Sequence, residues 1–202
     1  MSKKVVGFLT RADPVLGRFI KKYEPVTLAP NNRITLFEAL VKSVIGQQLS
    51  GKAAHSILSK LKDQVGGKKP ISPEKILSTP YGKIRSAGVS ESKARTIIAL
   101  AEMTKTGAIP SSRKMRSMSD EEIVQALTAV KGIGRWTAEM ILMFKLGRAD
   151  VMPATDLGVR KGYFIIFKSK ALATPKTILE HSQKWSPYRS FVAKYCWAAA
   201  DE

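Results

Sequence analysis

What this 202-residue chain has least of already narrows its chemistry. Cysteine occurs once, as Cys196, which excludes a disulfide framework and a cysteine-bound cluster. Histidine occurs twice, as His55 and His181, with no partners at metal-ligand spacing, so no catalytic metal is expected. No apolar run approaches the roughly 20 residues needed to cross a bilayer, and the apolar stretch after Lys3 and Lys4 is too short for a signal peptide. No strand-like alternation of convincing length and no internal repeat occurs, so the expected fold class is all-α. Acidic residues number 16 against 34 lysines and arginines, for a net charge of +18. That balance seeks a polyanion, with salt-dependent binding to nucleic acid. A reducing, intracellular setting is expected, either the cytoplasm and nucleoid of a prokaryote or the nucleus of a eukaryote.

What is present reads as a succession of helices. Residues 3 to 22 form a helical candidate with a start signal at Asp13-Pro14. Residues 24 to 32 form a loop. Thr35 to Ile45 brings Leu36, Ala39, Leu40 and Val44 to one side, and Gly46 closes that helix. Gln47-Gln48-Leu49 is a short polar turn, after which Lys52 to Val65 resumes helical periodicity. A breaker-rich connector at 66 to 73 precedes short helices near residues 74 to 77 and 81 to 86. Ser90 then opens a longer helix reaching about Lys105, with Ala94, Ile97, Ile98 and Ala101 inward. The connector from 107 to 118 carries Arg113, Lys114 and Arg116, which could touch phosphate, although such runs are more often simply solvated.

The stretch with the most specific spacing runs from Leu127 to Arg160. Ser119 with Glu122 forms a capping box, and Ile123, Val124, Leu127 and Val130 share a helical face. Glycines two apart at Lys131-Gly132-Ile133-Gly134 stop this helix and leave amides bare. A second helix begins at once and is expected to run from Arg135 to Leu146. Bare amides at a helix start suit an anion such as phosphate. A dinucleotide-binding turn is rejected, because there the glycines follow a strand and a third glycine stands where this chain has Thr137. An ordinary helix-helix turn is the plainer alternative. Further on, Pro153-x-x-Asp156 marks another helix start, at which Asp156 suits a simple capping role.

VKGIGRWTAEM followed by Pro-x-x-Asp resembles the helix-hairpin-helix DNA glycosylases, specifically the alkylpurine (3-methyladenine) branch of the AlkA and Mag type. The resemblance extends to SVIGQQLSGKAA at 43 to 54, KART at 93 to 96 and WSPYRSFVA at 185 to 193, and so spans most of the chain. It implies two helical lobes flanking a DNA-binding cleft, within a single catalytic unit over 1 to 202. Lobe A is expected at about 43 to 142, containing the hairpin at 127 to 136, and lobe B at about 1 to 42 plus 143 to 202. The β-rich domain of the larger bacterial members has no room here. The resemblance further implies a monomer acting on double-stranded DNA with alkylated bases, without a membrane partner.

For the site, the resemblance implies Asp156 as the catalytic carboxylate. Trp136, Tyr188 and Trp185 become candidates to stack on a cationic base, with Trp197 and Phe191 expected in the core. Gln48, and after it Leu49, becomes the wedge that fills the stack vacated by a flipped nucleotide. Lys131, Gly132, Gly134 and Thr137 would meet DNA phosphate. Backbone carbonyls of Thr128, Val130 and Ile133 would hold a structural Na+ or K+, with no catalytic cofactor.

The implied reaction is hydrolysis of the N-glycosidic bond of 3-methyladenine or 7-methylguanine, leaving an abasic site in base excision repair. A carboxylate against the sugar stabilises oxocarbenium character, and an alkylated purine, already cationic, leaves without a general acid. One aspartate can therefore suffice, and Asp150 reads as a loop or cap residue. Relatives resembling endonuclease III carry a lysine nucleophile directly after Gly-x-Gly-Arg. This chain has Trp136 there, so no lyase activity is expected, and Lys131 lies on the other side of the hairpin. The alternative from another class is a non-enzymatic helix-hairpin-helix protein that recognises damaged or bent duplex.

Overall fold

A computed structural model describes residues 3–67 and 70–201. Lys68 and Lys69, within the connector expected at 66 to 73, lie outside the described residues, as do Met1, Ser2 and Glu202. All regular structure is helical, with no strand among the described residues. No described helix is long and apolar enough to cross a membrane. The chain divides into two compact units, one formed by residues 1–30 and 142–202 and the other by 31–141.

The first unit opens with α1 (Lys3–Ala12) and α2 (Pro14–Ile20). The single helix expected at 3 to 22 is thus two. Asp13 breaks it by taking an extended backbone and capping the next turn, its Oδ1 accepting from the amides of Val15 at 3.0 Å and Leu16 at 3.2 Å.

The second unit holds eight helices among its described residues: α3 (Leu36–Gly46), α4 (Gly51–Gln64), α5 (Pro73–Ser78), α6 (Tyr81–Ser86), α7 (Glu91–Lys105), α8 (Ser112–Met115), α9 (Asp120–Thr128) and α10 (Arg135–Met140). Hydroxyl side chains of Thr35, Ser50, Ser72, Ser90, Ser111 and Ser119 each cap the helix that follows. Ser119 and Glu122 make the reciprocal capping box. Helix α7 is the spine of this unit and packs on α3, α5 and α6. Leu40, Val44, Ile76, Ile84, Ile97, Leu100 and Leu127 form its core. The basic connector contains a short helix, α8, and leaves Arg113, Lys114 and Arg116 exposed.

Helix α10 does not run on as α-helix to Leu146. It widens into a π-turn at Ile141–Lys145, which admits one extra residue per turn. The first unit then resumes with α11 (Leu157–Phe167), α12 (Pro175–Ser182), a 3-10 turn at Gln183–Trp185 and α13 (Arg189–Ala200). Helices α11 and α13 form its principal pairing. They approach so closely that a Cβ on Gly162 would lie 1.8 Å from the carbonyl oxygen of Cys196, so only glycine fits there.

Candidate active site

Asp156 stands at the start of α11, half-buried, with an extended backbone. Its Oδ1 accepts from the amide of Val159 at 2.8 Å, the cap expected of an aspartate there. The same oxygen accepts from the indole Nε1 of Trp197 at 2.8 Å. The capping and functional readings of Asp156 therefore do not compete, since the cap fixes the carboxylate that the indole then orients. Two donors on one oxygen leave little rotational freedom about the Cβ–Cγ bond.

Sequence reasoning missed Trp197, which was expected in the core. It is only partly buried, and its ring packs tilted against the exposed Phe144 of the π-turn at 5.6 Å. Gly158 makes this placement possible. A Cβ there would sit 2.7 Å from Trp197 Cδ1, 3.1 Å from its Nε1 and 3.1 Å from Asp156 Oδ1. The available signal was a glycine inside an otherwise good helical stretch two residues after the aspartate, which often marks a close approach.

Trp185, a candidate for stacking on a base, is corrected to the core, with 0% of its surface exposed. It stacks on Phe167 at 5.7 Å, meets the edge of His181 at 4.8 Å, and donates from Nε1 to Asp13 Oδ2 at 3.2 Å. No face of it is open to a ligand. Around the same carboxylate lie Lys184 Nζ at 2.9 Å and His181 Nε2 at 3.5 Å. Burial pushes the Asp13 carboxyl up, but the bonds from Lys184, the Leu16 amide and Trp185 outweigh it and hold its pKa below the ordinary value. Tyr188 is half-buried, with edge-on contacts to Phe8 at 5.2 Å and Phe191 at 6.2 Å, and Phe191 is in the core as expected.

Asp150 is committed elsewhere. Its Oδ1 accepts from Arg189 Nε at 2.8 Å, and its Oδ2 from Arg189 Nη2 at 2.9 Å and Ser186 Oγ at 2.7 Å. Burial raises its pKa, and these Arg189 and Ser186 bonds bring it down further than burial lifts it, for a net lowering. It is a fixed structural anion at the start of α13.

In the second unit, the turn between α9 and α10 exposes Lys131, Gly132 and Gly134. Gly132 has φ +94°, and a Cβ there would meet Thr96 Oγ1 at 2.1 Å, so both angle and space require glycine. The amide of Ile133 is used internally, donating to Val130 at 3.0 Å, and no backbone acceptor for the Gly132 and Gly134 amides occurs among the described residues. Thr137 is corrected, because its side chain cannot meet a phosphate. It is 1% exposed, and its Oγ1 accepts from Gln47 Nε2 at 2.9 Å. Trp136, at the start of α10, is half-buried.

Gln48 and Leu49 are both exposed at the tip of the turn after α3, and Gln48 holds φ +57°, rare for a residue with a Cβ. The turn is tied down by residues around it. Lys93 Nζ donates to the carbonyls of Ile45 at 2.9 Å and Gln47 at 2.7 Å, and burial lowers its pKa. Gln47 Nε2 also donates to the Gly132 carbonyl at 3.1 Å.

In the turn from Thr128 to Ile133, the carbonyls of Val130, Lys131 and Gly132 accept from the Ile133 amide, Thr96 Oγ1 and Gln47 Nε2, and no group of three His, Cys, Asp or Glu suited to a metal occurs among the described residues.

The family model for HhH-GPD superfamily base excision DNA repair proteins matches residues 41–187. The chain belongs to this superfamily. Within it, the chain is 38% identical over 161 residues to DNA-3-methyladenine glycosylase 1 of Schizosaccharomyces pombe, covering 80% of this chain and 71% of that one. Among solved structures, that of the 3-methyladenine DNA glycosylase Mag1 of the same yeast, in complex with abasic DNA, superposes with a TM-score of 0.87 at 34% identity, covering 96% of this chain and 95% of that chain. A DNA-3-methyladenine glycosidase structure from Bacillus halodurans superposes at 0.84 with 33% identity, covering 97% and 88%.

Proposed function

We infer that the protein is a DNA glycosylase of base excision repair that hydrolyses the N-glycosidic bond of alkylated purines in double-stranded DNA. The observation that carries this reading is the Asp156 carboxylate, half-exposed at the start of α11 and oriented by the indole of Trp197, in a member of a base-excision superfamily whose similar relatives are named 3-methyladenine glycosylases.

The chemistry follows from what Asp156 can do alone. As the bond from the sugar to the base lengthens, positive charge grows at the anomeric carbon and ring oxygen, and a fixed carboxylate stabilises it without reorganising. A 3- or 7-alkylated purine departs as a neutral base, so no second carboxylate has to protonate it. That agrees with Asp150 being held by Arg189 and Ser186. Water completes the hydrolysis, directed or deprotonated by Asp156, and leaves an abasic site.

The remaining assignments divide by unit. In the hairpin, the amides of Gly132 and Gly134 with Lys131 would take a DNA phosphate. A Na+ or K+ on the carbonyls of Thr128, Val130 and Ile133 would add positive charge beside it. Gln48, with Leu49 as its exposed neighbour, would fill the vacated stack. Trp136 and Tyr188 remain the aromatic candidates for a cationic base. Trp136 in place of an amine nucleophile fits hydrolysis without strand cleavage. A monomer suffices for all of these roles.

The decisive experiment incubates the protein with methylated duplex DNA and identifies the freed bases by mass. Asp156→Asn is expected to lower base release by about a hundredfold or more while retaining duplex affinity. A protein that releases no base in either form is a binding module, and the enzymatic reading falls.

A further inference from the structure

The wedge turn and the phosphate hairpin lie 85 positions apart at their joining bond, Gln47 to Gly132, yet the same few side chains hold both. Lys93 and Thr96 sit one turn apart on α7. Lys93 reaches the wedge turn, taking the carbonyls of Ile45 and Gln47. Thr96 reaches the hairpin, its Oγ1 lying 3.1 Å from the Lys131 carbonyl and 3.0 Å from that of Ser92. Gln47 closes the triangle by donating to the Gly132 carbonyl and to buried Thr137 on α10. Because Gly132 offers a carbonyl, the Gln47 amide must present its nitrogen there, which fixes its orientation.

The carbonyls that these side chains take have a geometric corollary. In a planar trans peptide the C=O and the following N–H point in opposite directions. Drawing the Lys131 carbonyl toward Thr96 therefore turns the Gly132 amide away from α7, and drawing the Gln47 carbonyl toward Lys93 does the same for the Gln48 amide. The left-handed backbone at Gln48 belongs to a turn closed by the Leu49 amide on the Gly46 carbonyl at 3.2 Å, and Lys93 holds the carbonyl of the peptide just before it.

We propose that Gln47, Lys93 and Thr96 form a bracket that fixes the wedge at a set distance from the gripped phosphate, so that grasping the strand and filling the vacated stack happen as one rigid event. The proposal rests on the glycosylase reading above, with the hairpin on a phosphate and Gln48 or Leu49 as wedge. These three are positioning residues, and none of them has to touch the base or the sugar. Base flipping is uphill until the vacated space is filled. A wedge free to wander relative to the phosphate would fill it only part of the time, and the enzyme would behave as if the flipped state were rarer.

The test uses the full-length protein and a duplex carrying one 7-methylguanine, either paired with cytosine or unpaired in a one-nucleotide bulge, where little unstacking remains to be offset. Gln47→Met keeps the side-chain length and removes the donor, with Lys93→Met as a second variant at a different corner. Expected for Gln47→Met are undamaged-duplex affinity within about twofold of the parent, which also reports an intact fold, and single-turnover release from the paired substrate slowed about tenfold. The bulged substrate should restore release to within about twofold. Gln48→Ala or Leu49→Ala should give the same paired-only defect. If one of those wedge variants shows that defect and both bracket variants match the parent on paired DNA, the bracket is refuted while the wedge reading stands. A defect equal on paired and bulged substrates marks a merely structural role and also overturns the proposal. If neither wedge variant distinguishes paired from bulged DNA, the wedge reading itself fails and the bracket fails with it.

Discussion

Trp197 and Asp156, 41 residues apart in sequence, meet through one hydrogen bond of 2.8 Å from indole nitrogen to carboxylate oxygen. The bond joins α13 to the start of α11 and makes the setting of the carboxylate depend on helix packing as well as on its own loop. Trp197→Phe keeps a ring against Phe144 and removes only the donor. Base release under single-turnover conditions should fall about tenfold, consistent with loss of a hydrogen bond to a charged group, with unchanged affinity for undamaged duplex. Full activity in this variant would show that the indole bond is not needed to position Asp156.

Gly158→Ala should reach the same end by another route. The added methyl would press on the indole at 2.7 Å and on Asp156 Oδ1 at 3.1 Å, displacing the donor from its acceptor. The loss should resemble that of Trp197→Phe, and the double variant should be little worse than either single one, because both remove one interaction. Strictly additive losses in the kinetic cycle would separate the two residues.

Trp185 and Tyr188, three positions apart, should part company under substitution. Trp185→Phe removes the bond to Asp13 and part of a fully buried ring, so it should cost about 2 kcal/mol in chemical denaturation while base release per folded molecule stays near the parent's. Tyr188→Ala should weaken turnover of alkylated bases more than it weakens the fold. Reversal of that pattern would return Trp185 to the list of base contacts.

Acid should unfold the first unit in two stages. Burial is the main cause holding the His181 pKa below its ordinary 6.5, joined by Lys184 and opposed by Asp13, so the unfolded chain binds the extra proton more readily. Stability is then complete above about 6.5 and declines as pH falls from there toward the lower folded value. Asp13, also lowered, contributes stability above its ordinary 3.8 that is lost as pH falls through the folded value. In thermal melts from pH 8 to 3, His181→Gln should flatten the upper stage and leave the lower one. An unchanged profile in that variant would locate the upper transition in another group.

Borohydride offers a last check. With Trp136 following Arg135 where a nucleophilic amine would be needed, the protein should not become covalently trapped on damaged duplex under reduction. A trapped adduct that disappears in Lys131→Ala would assign lyase chemistry to the hairpin lysine.

Much of this architecture is local and therefore legible in sequence. The hydroxyl caps at Thr35, Ser50, Ser90 and Ser119 act within a turn of themselves, and Asp156 caps its helix as its type suggests. The residues misjudged are those decided by distant partners. Trp185 has polar neighbours along the chain in Lys184 and Ser186, and Trp197 apolar ones in Cys196 and Ala198, the reverse of where the two rings end up. One is buried because Asp13, 172 positions earlier, receives its indole, while the other stays part-exposed because Gly158 leaves room beside a carboxylate. Thr137 looked like a phosphate ligand until Gln47, 90 positions away, claimed its hydroxyl. The π-turn escaped because Ile141 to Lys145 has the composition of any buried helix.

The chain's single thiol lies beside this apparatus, one residue before Trp197. Cys196 is 1% exposed, and burial, with the nearby Asp156 charge, pushes its pKa up to about 12. It therefore stays protonated, and only the thiolate is a strong nucleophile. Methylating electrophiles that scar a genome would therefore meet no thiolate at Cys196, and the helix that carries Trp197 is spared a bulky adduct at its buried face.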